Sequence, residues 1–177
     1  MPGNIFINFG KSDVPDGESL QKTHPGSDGW IEIQDWSFDI EAEHSATKGT
    51  GAAVGKATPG TLMITHYWDT SSTAILAKMV AGRHFPLITI EMAKATGSDM
   101  KKPQQTFFQV KATDCFVTKV ATKGGEDGTL TQDVEFVFKE IYVGYKPQGN
   151  TGALEPTRNF HWSVKDNKTA TSIAALK

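Results

Sequence analysis

The chain has 177 residues and a mass of 19.2 kDa, which fits a single domain of ordinary size. Its formal net charge of −2, from 18 basic and 20 acidic residues, argues against nucleic-acid binding driven by charge alone. One cysteine, Cys115, excludes an intramolecular disulfide framework and a cysteine-based zinc site. Because the sequence has no apolar run of membrane-spanning length and no signal-peptide pattern, we expect a cytoplasmic protein or one exported in its folded state.

Apolar residues alternate with period 2 along most of the chain, and this pattern predicts β-strands. The first predicted strand covers residues 5–9, and a loop rich in glycine and proline follows it up to Trp30. In three places the apolar residues then change from one face of a strand to the other, at 34–35, 113–114 and 139–140. Such changes suit a sheet that curls into a barrel, or strands that cross between two packed sheets.

One helix interrupts this pattern. Asp69 and Thr70 can cap its first turn, residues 74–77, 79 and 80 form its apolar face, and Gly82 fits the position just past its end. The predicted fold class is therefore mainly β, an antiparallel two-sheet β-barrel with one flanking α-helix and a long extended loop. We predict one domain over residues 1–177, with a mobile tail at 166–177.

The extended loop is unusual in composition. Residues 45–60 are almost all small, with Val54 the one large apolar side chain among them. A structureless segment of this length is uncommon in a compact domain and is usually functional or disordered. Two interpretations remain open at this point: an extended arm that lies on another surface, or a flexible loop.

Candidate chemistry is sparse. His66, Asp69, Ser71 and Ser72 lie within seven residues, but a catalytic triad normally draws on separated segments, so a helix cap beside a hydrogen-bonded core histidine is the better interpretation. The five histidines lack metal-ligand spacing. We therefore expect a structural or binding protein rather than an enzyme, with neither a cofactor nor a metal.

Several segments, in this order, resemble the haemolysin-coregulated protein (Hcp) family, which forms the inner tube of the bacterial type VI secretion system. They cover nearly the whole chain and are residues 5–10 (IFINFG), 22–24 (KTH), 31–37 around Trp36, 82–86 (GRHFP), 124–127 (GGED), 145–148 (YKPQ) and 160–162 (FHW).

The resemblance implies hexameric rings with a central channel, stacked into a tube that a sheath propels out of the cell. Implied partners are further copies of the chain, the spike and sheath components, and effector proteins carried in the channel, with no nucleic acid and no membrane insertion. It also implies assembly in the bacterial cytoplasm, secretion without a signal peptide, and no catalytic activity. By position, Ser37 after Trp36 is expected to face the channel.

With this resemblance, the small-residue segment becomes a predicted assembly arm over residues 45–60. Its interface residues would be Thr47, Lys48, Thr50, Val54, Lys56 and Thr58. The alternative is a monomeric ligand-binding β-barrel that holds a small apolar molecule inside. The tube subunit would form hexameric rings, whereas the ligand-binding barrel would be a monomer.

Overall fold

A computed structural model of the chain describes residues 4–14, 16–45, 53–95 and 104–169. Within these ranges the fold is mainly β with one α-helix, as predicted, and all strand pairs are antiparallel. The elements in chain order are β1 (Ile5–Asn8), β2 (Leu20–Gln21), β3 (His24–Pro25), β4 (Trp30–Glu32), β5 (Asp35–Ser37), β6 (Ile40–Ser45), β7 (Ala53–Pro59), β8 (Leu62–Tyr67), α1 (Thr70–Val80), β9 (His84–Ala95), β10 (Gln104–Gly124), β11 (Leu130–Val137), β12 (Glu140–Tyr145) and β13 (Arg158–Ser163).

The main sheet has the strand order β4-β1-β9-β10-β11-β8-β5. Strand β10 is long enough to belong to two sheets. Residues 108–113 of β10 pair with β12, which carries β13, whereas residues 116–124 pair with β11. The chain therefore forms two sheets that share one strand.

The two ends of this strand order belong to one segment, residues 30–37. Its first half pairs with β1, and its second half pairs with β8. At the corner the Ile33 N–H donates to the Ile5 carbonyl at 3.0 Å, and the Gln34 N–H donates to the Thr65 carbonyl at 2.8 Å. The predicted slip at 34–35 is thus the bend that carries hydrogen bonding from β8 back to β1, as a barrel-like sheet requires.

The other two predicted slips mark the boundary between the sheets. Asp114 has a φ of 49°, and here β10 changes partner from β12 to β11. Residues 138–139 separate β11 from β12, and the Lys139 N–H donates to the Thr113 carbonyl at 3.0 Å. Three local changes in sequence phase therefore correspond to three corners of the fold.

Apolar side chains fill the space enclosed by the sheets. At its centre the rings of Phe9 and Phe85 lie 4.8 Å apart, with Phe136 at 6.0 and 6.4 Å from them. Cys115 is fully buried in this core, where burial raises the pKa of its thiol, as expected for a small core residue. A filled interior does not favour the ligand-binding barrel.

Helix α1 closes one side of the barrel through its buried Ile75. The Asp69 carboxylate accepts a hydrogen bond from the Ser71 N–H at 2.9 Å, and the Ser72 hydroxyl accepts one from the Asp69 N–H at 3.1 Å. Gly82, at φ 63°, follows the helix end. The predicted caps are confirmed. Among the described residues, no helix has the length and apolar character needed to cross a membrane.

Candidate functional site

The predicted arm is a β-hairpin rather than a structureless loop. Strands β6 and β7 pair in the register Ile40 with Pro59 and Glu41 with Thr58. Small side chains gave no strand pattern in the sequence, yet backbone groups pair regardless of side-chain size. Of the predicted interface residues, Val54, Lys56 and Thr58 lie on β7, whereas Thr47, Lys48 and Thr50 lie outside the described residues.

This hairpin extends an existing pair of barrel strands. β5 pairs with β8 through Ser37 and Met63, and the Gly60 N–H then donates to the Asp39 carbonyl at 2.9 Å. After this junction the register shifts by one residue, and β6 and β7 pair as a separate two-stranded ladder. We call the four strands β5–β6 and β7–β8 the ribbon. Strands β5 and β8 of the ribbon are part of the main sheet. Strands β6 and β7 pair with no other strand among the described residues.

Ser37 lies on the outward face of the main sheet. Directly across the strands from it stand Met63, then Glu135, then Lys119, which form one row of outward side chains. Ser37 is exposed, as the predicted channel residue must be, and Met63 beside it is 39% exposed. The inward-facing row next to it contains Trp36, Ile64, Val134 and Val120. We call the outward side the Ser37 face.

Four charged side chains of the Ser37 face form two ion pairs, and the exposed Asp35 adds a further acid to this face. Lys119 Nζ lies 3.1 Å from Glu135 Oε1, and Lys123 forms an ion pair with Asp133. Asp133 also accepts a hydrogen bond from the Thr65 hydroxyl at 2.8 Å. The bonds from Lys123 and Thr65 hold the pKa of the Asp133 carboxyl below its usual range. The face therefore presents nearly balanced charge.

A shallow hollow beside Ser37 has a volume of about 60 Å³ and is lined by residues of β5 and β8. Pockets that hold small molecules usually measure roughly 300–1,000 Å³. The hollow is therefore too small for a metabolite-sized ligand. This surface suits contact with another macromolecule better than capture of a small one.

The structure brings the triad-like residues together, with His66 Nδ1 3.8 Å from Asp69 Oδ1, but it buries the histidine and both serines. The side chain of His66 is 1% exposed, and its Nε2 lies 3.1 Å from Gln132 Oε1. Ser71 and Ser72 are fully buried, and both contact the Asp69 cap. The predicted core histidine and helix cap are confirmed.

A buried polar cluster on strands β9 and β10, covered by the loop of residues 16–29, was missed by the sequence reasoning. Glu91 Oε2 lies 2.8 Å from His24 Nε2 and accepts from the Thr106 hydroxyl at 2.8 Å, while Glu91 Oε1 accepts from Gln109. Burial raises the pKa of Glu91, but the hydrogen bonds from these three side chains outweigh it, so that pKa lies below the ordinary value.

His24 connects the covering loop of residues 16–29 to the sheet. Its ring stacks on Phe6 with centroids 4.3 Å apart, meets Trp30 edge-on at 4.6 Å, and its Nδ1 lies 3.0 Å from the Thr23 hydroxyl. Sixty-seven residues separate His24 from Glu91. The 22–24 motif was the one sequence signal that could have led to this cluster.

The C-terminal end of the described chain is partly ordered. Trp162 Nε1 donates to Asn167 Oδ1 at 3.3 Å, and the Ser163 N–H donates to the Lys168 carbonyl at 2.8 Å. The first residues of the predicted mobile tail, 166–169, thus fold back on β13. The remainder, 170–177, lies outside the described residues.

A filled two-sheet barrel with an extended hairpin, and with only a small hollow beside the exposed Ser37, is typical of a structural subunit rather than of a carrier of small ligands. A family model described as "Type VI secretion system effector, Hcp" matches residues 6–145. The chain belongs to the Hcp family, whose members are tube subunits of the type VI secretion system.

Comparison with individual relatives agrees with this assignment. The chain is 30% identical over 174 residues to protein hcp1 of Pseudomonas aeruginosa, covering 96% of this chain and all of that one. A solved type six secretion system protein superimposes with a TM-score of 0.81 at 26% identity, over 94% of this chain and 98% of the other. Hcp1 from Salmonella typhimurium superimposes at 0.74 with 26% identity, over 96% and 100%.

Proposed function

We propose that six copies of this chain close into a ring, that rings stack into a tube, and that the Ser37 face lines the channel in which effectors travel. The outward row of Ser37, Met63, Glu135 and Lys119, in which the two charges pair with each other, carries this proposal. Paired charges leave little net field, so an effector of either sign can pass without being held by the wall.

In this function the protein acts through assembly and contact. It uses no cofactor and performs no catalytic step. The tube forms in the bacterial cytoplasm and leaves the cell folded, without a signal peptide, through the machine to which its sheath and spike partners belong. A buried thiol at Cys115 suits assembly in a reducing compartment.

The oligomeric state tests the proposal directly. Native mass spectrometry of the purified chain is expected to give a species six times the mass of the 19.2 kDa protomer, and electron microscopy is expected to show six-fold rings. A stable monomer at every concentration would contradict the proposal and favour the alternative function, a ligand-binding barrel.

A bulky charge at Ser37 tests the channel assignment. Ser37→Arg is expected to leave rings intact but to remove effectors that co-purify with them, because six long cations then crowd one level of the channel. Thr73→Arg, on the exposed side of α1, is the matched control. Equal effector recovery from Ser37→Arg and Thr73→Arg rings would refute the assignment.

We also propose that the β6–β7 hairpin is the assembly arm and contacts a neighbouring subunit through residues that include Thr47, Lys48, Thr50, Val54, Lys56 and Thr58. A free two-stranded hairpin is marginally stable in water, so a partner surface would stabilise it. Its unpaired edges and exposed Lys56 and Thr58 support this assignment.

A further inference from the structure

We propose that the β2–β3 hairpin, residues 20–25, is a flap that the contact between His24 and Glu91 fastens to the barrel at neutral pH and that opens in acid while the barrel stays folded. The inference goes beyond the proposed tube function, because it concerns a movement within one copy of the chain. It rests on how the flap is attached, on what it covers and on the groups around the Glu91 carboxylate.

The flap is held in place chiefly by one side chain. Its register pairs Leu20 with Pro25 and Gln21 with His24, and a two-stranded hairpin is at best marginally stable in water on its own. Leu20 is 94% exposed and therefore adds no buried apolar area. Within the flap only His24 is buried, and its Nε2 lies 2.8 Å from Glu91 Oε2.

The chain on either side of the flap is anchored separately. Before it, the Thr70 hydroxyl donates to the Asp16 carbonyl at 2.9 Å. After it, the side-chain amide of Asn8 donates to the Asp28 carbonyl at 2.9 Å. Neither anchor involves Glu91. The flap can therefore leave the sheet while the segments that flank it remain in place.

The flap covers an aromatic side chain on the outward side of β1. Ile7 belongs to the central core, so Phe6, one residue earlier in the strand, faces the other side. Phe6 is nevertheless only 1% exposed, and the His24 ring lies parallel to it with the centroids 4.3 Å apart. Opening the flap therefore uncovers one face of the Phe6 ring.

His24 is the charged partner that contacts the Glu91 carboxylate directly. The titratable groups on the elements around Glu91 are His24 and Lys22 on the flap, Lys111 on β10 and Glu32 on β4, whereas β1 contributes the uncharged Phe6. Lys22 and Glu32 are exposed to solvent, and Lys111 lies on the same face as Gln109, two residues further along β10. Protonation of Glu91 therefore acts first on the contact with His24.

A proton on Glu91 weakens the contact that fastens the flap. The carboxylate accepts from Thr106, Gln109 and His24, and protonation removes its charge and turns one of its oxygens into a donor. Although burial raises the pKa of Glu91, these hydrogen bonds hold it below the ordinary value. The contribution of Glu91 is therefore present above the unfolded pKa of about 4.3, and the flap opens as the pH falls through the folded pKa.

Hydrogen–deuterium exchange in the full chain tests the flap. The rates at about pH 6 and about pH 3 are each divided by the intrinsic rate of the unfolded chain at that pH. Protection of residues 20–25 is expected to fall roughly ten- to hundredfold in acid, the change that one charge-assisted hydrogen bond sustains. Residues 108–113 of β10 are expected to stay protected.

Hydroxyl-radical footprinting gives an independent readout of what the flap covers. Oxidation of Phe6 is expected to rise severalfold between about pH 6 and about pH 3. Phe9, which is equally buried but lies in the central core, is the matched control and is expected to stay unmodified. Equal labelling of Phe6 at both pH values would contradict the opening.

Two variants separate the flap from a general effect of acid. Glu91→Gln cannot titrate and is expected to show the same protection of residues 20–25 at both pH values. Glu32→Gln, on the exposed acid beyond Phe6, is expected to respond to pH as the wild type does. A wild-type pH response in Glu91→Gln would overturn the proposal, as would loss of protection in β10 together with the flap. If Glu91→Gln does not fold, the wild-type series decides alone, because unchanged protection of residues 20–25 at about pH 3 refutes the flap.

Discussion

Replacing Glu91 by alanine removes the acceptor of the buried polar cluster and measures what that cluster contributes to stability. The Glu91 side chain is 14% exposed and accepts from His24, Thr106 and Gln109. Its loss leaves three buried or half-buried donors without their acceptor, and at about 1–3 kcal/mol for each such donor the total is about 3–5 kcal/mol. We expect Glu91→Ala to lower the free energy of unfolding by that amount at pH 7, measured by urea titration at fixed protein concentration.

Matched variants separate this effect from ordinary surface electrostatics. Glu91→Gln keeps the shape and should cost less, about 1–2 kcal/mol, because Gln109 can turn its amide to accept from the new side chain. Glu135→Ala removes a solvent-exposed ion pair with Lys119 and should cost under ~1 kcal/mol. Equal costs for Glu91→Ala and Glu135→Ala would refute the reasoning.

The pH dependence of stability tests the direction of the Glu91 contribution. Because the pKa of Glu91 is lower in the folded chain than its ordinary value, its contribution is present above the unfolded pKa of about 4.3 and is lost as pH falls through the folded pKa. The stability difference between wild type and Glu91→Ala should therefore narrow as pH falls below about 4. A difference that stayed constant as the pH fell further below that value would show that lost packing, rather than charge, dominates.

Two further substitutions test local geometry. Asp69→Ala removes the helix cap and is expected to cost about 1 kcal/mol in urea titration, whereas no change would show that Ser72 alone caps α1. Gly17→Ala directs a methyl group into the Trp30 carbonyl and should lower the free energy of unfolding by about 2 kcal/mol. The methyl group of Gly82→Ala meets no atom within 4 Å, so this substitution should cost only the strain of the left-handed backbone, ~1 kcal/mol. A larger loss from Gly82→Ala than from Gly17→Ala would contradict the structure.

The corners of the barrel could be predicted because each one changes the apolar pattern of the sequence at that point. A strand that bends or changes sheet must turn its apolar residues to the other face, so Gln34, Asp114 and Lys139 stand where the alternation slips. The helix was equally predictable, since its cap and terminal glycine are neighbours of the residues they serve.

Pairings between residues that are far apart in the sequence produce no such local pattern. The register of β6 with β7 is set by backbone bonds between small residues, so composition alone suggested a loop. Glu91 occupies an ordinary strand position, and only the folded loop brings His24 to it. The predicted channel residue Ser37 came from family resemblance, because a lone exposed serine carries no chemical signal of its own.

The continuity of the ribbon has a mechanical consequence. In an antiparallel ladder the hydrogen bonds run perpendicular to the strands, so a pull along β6 and β7 loads many bonds at once in shear instead of opening them one by one. Because β6 follows β5 and β7 precedes β8, with the Gly60 N–H donating to the Asp39 carbonyl at 2.9 Å between them, a force on the hairpin passes into the barrel wall through paired strands. A hairpin joined in this way can carry load between the barrel and a surface that holds it.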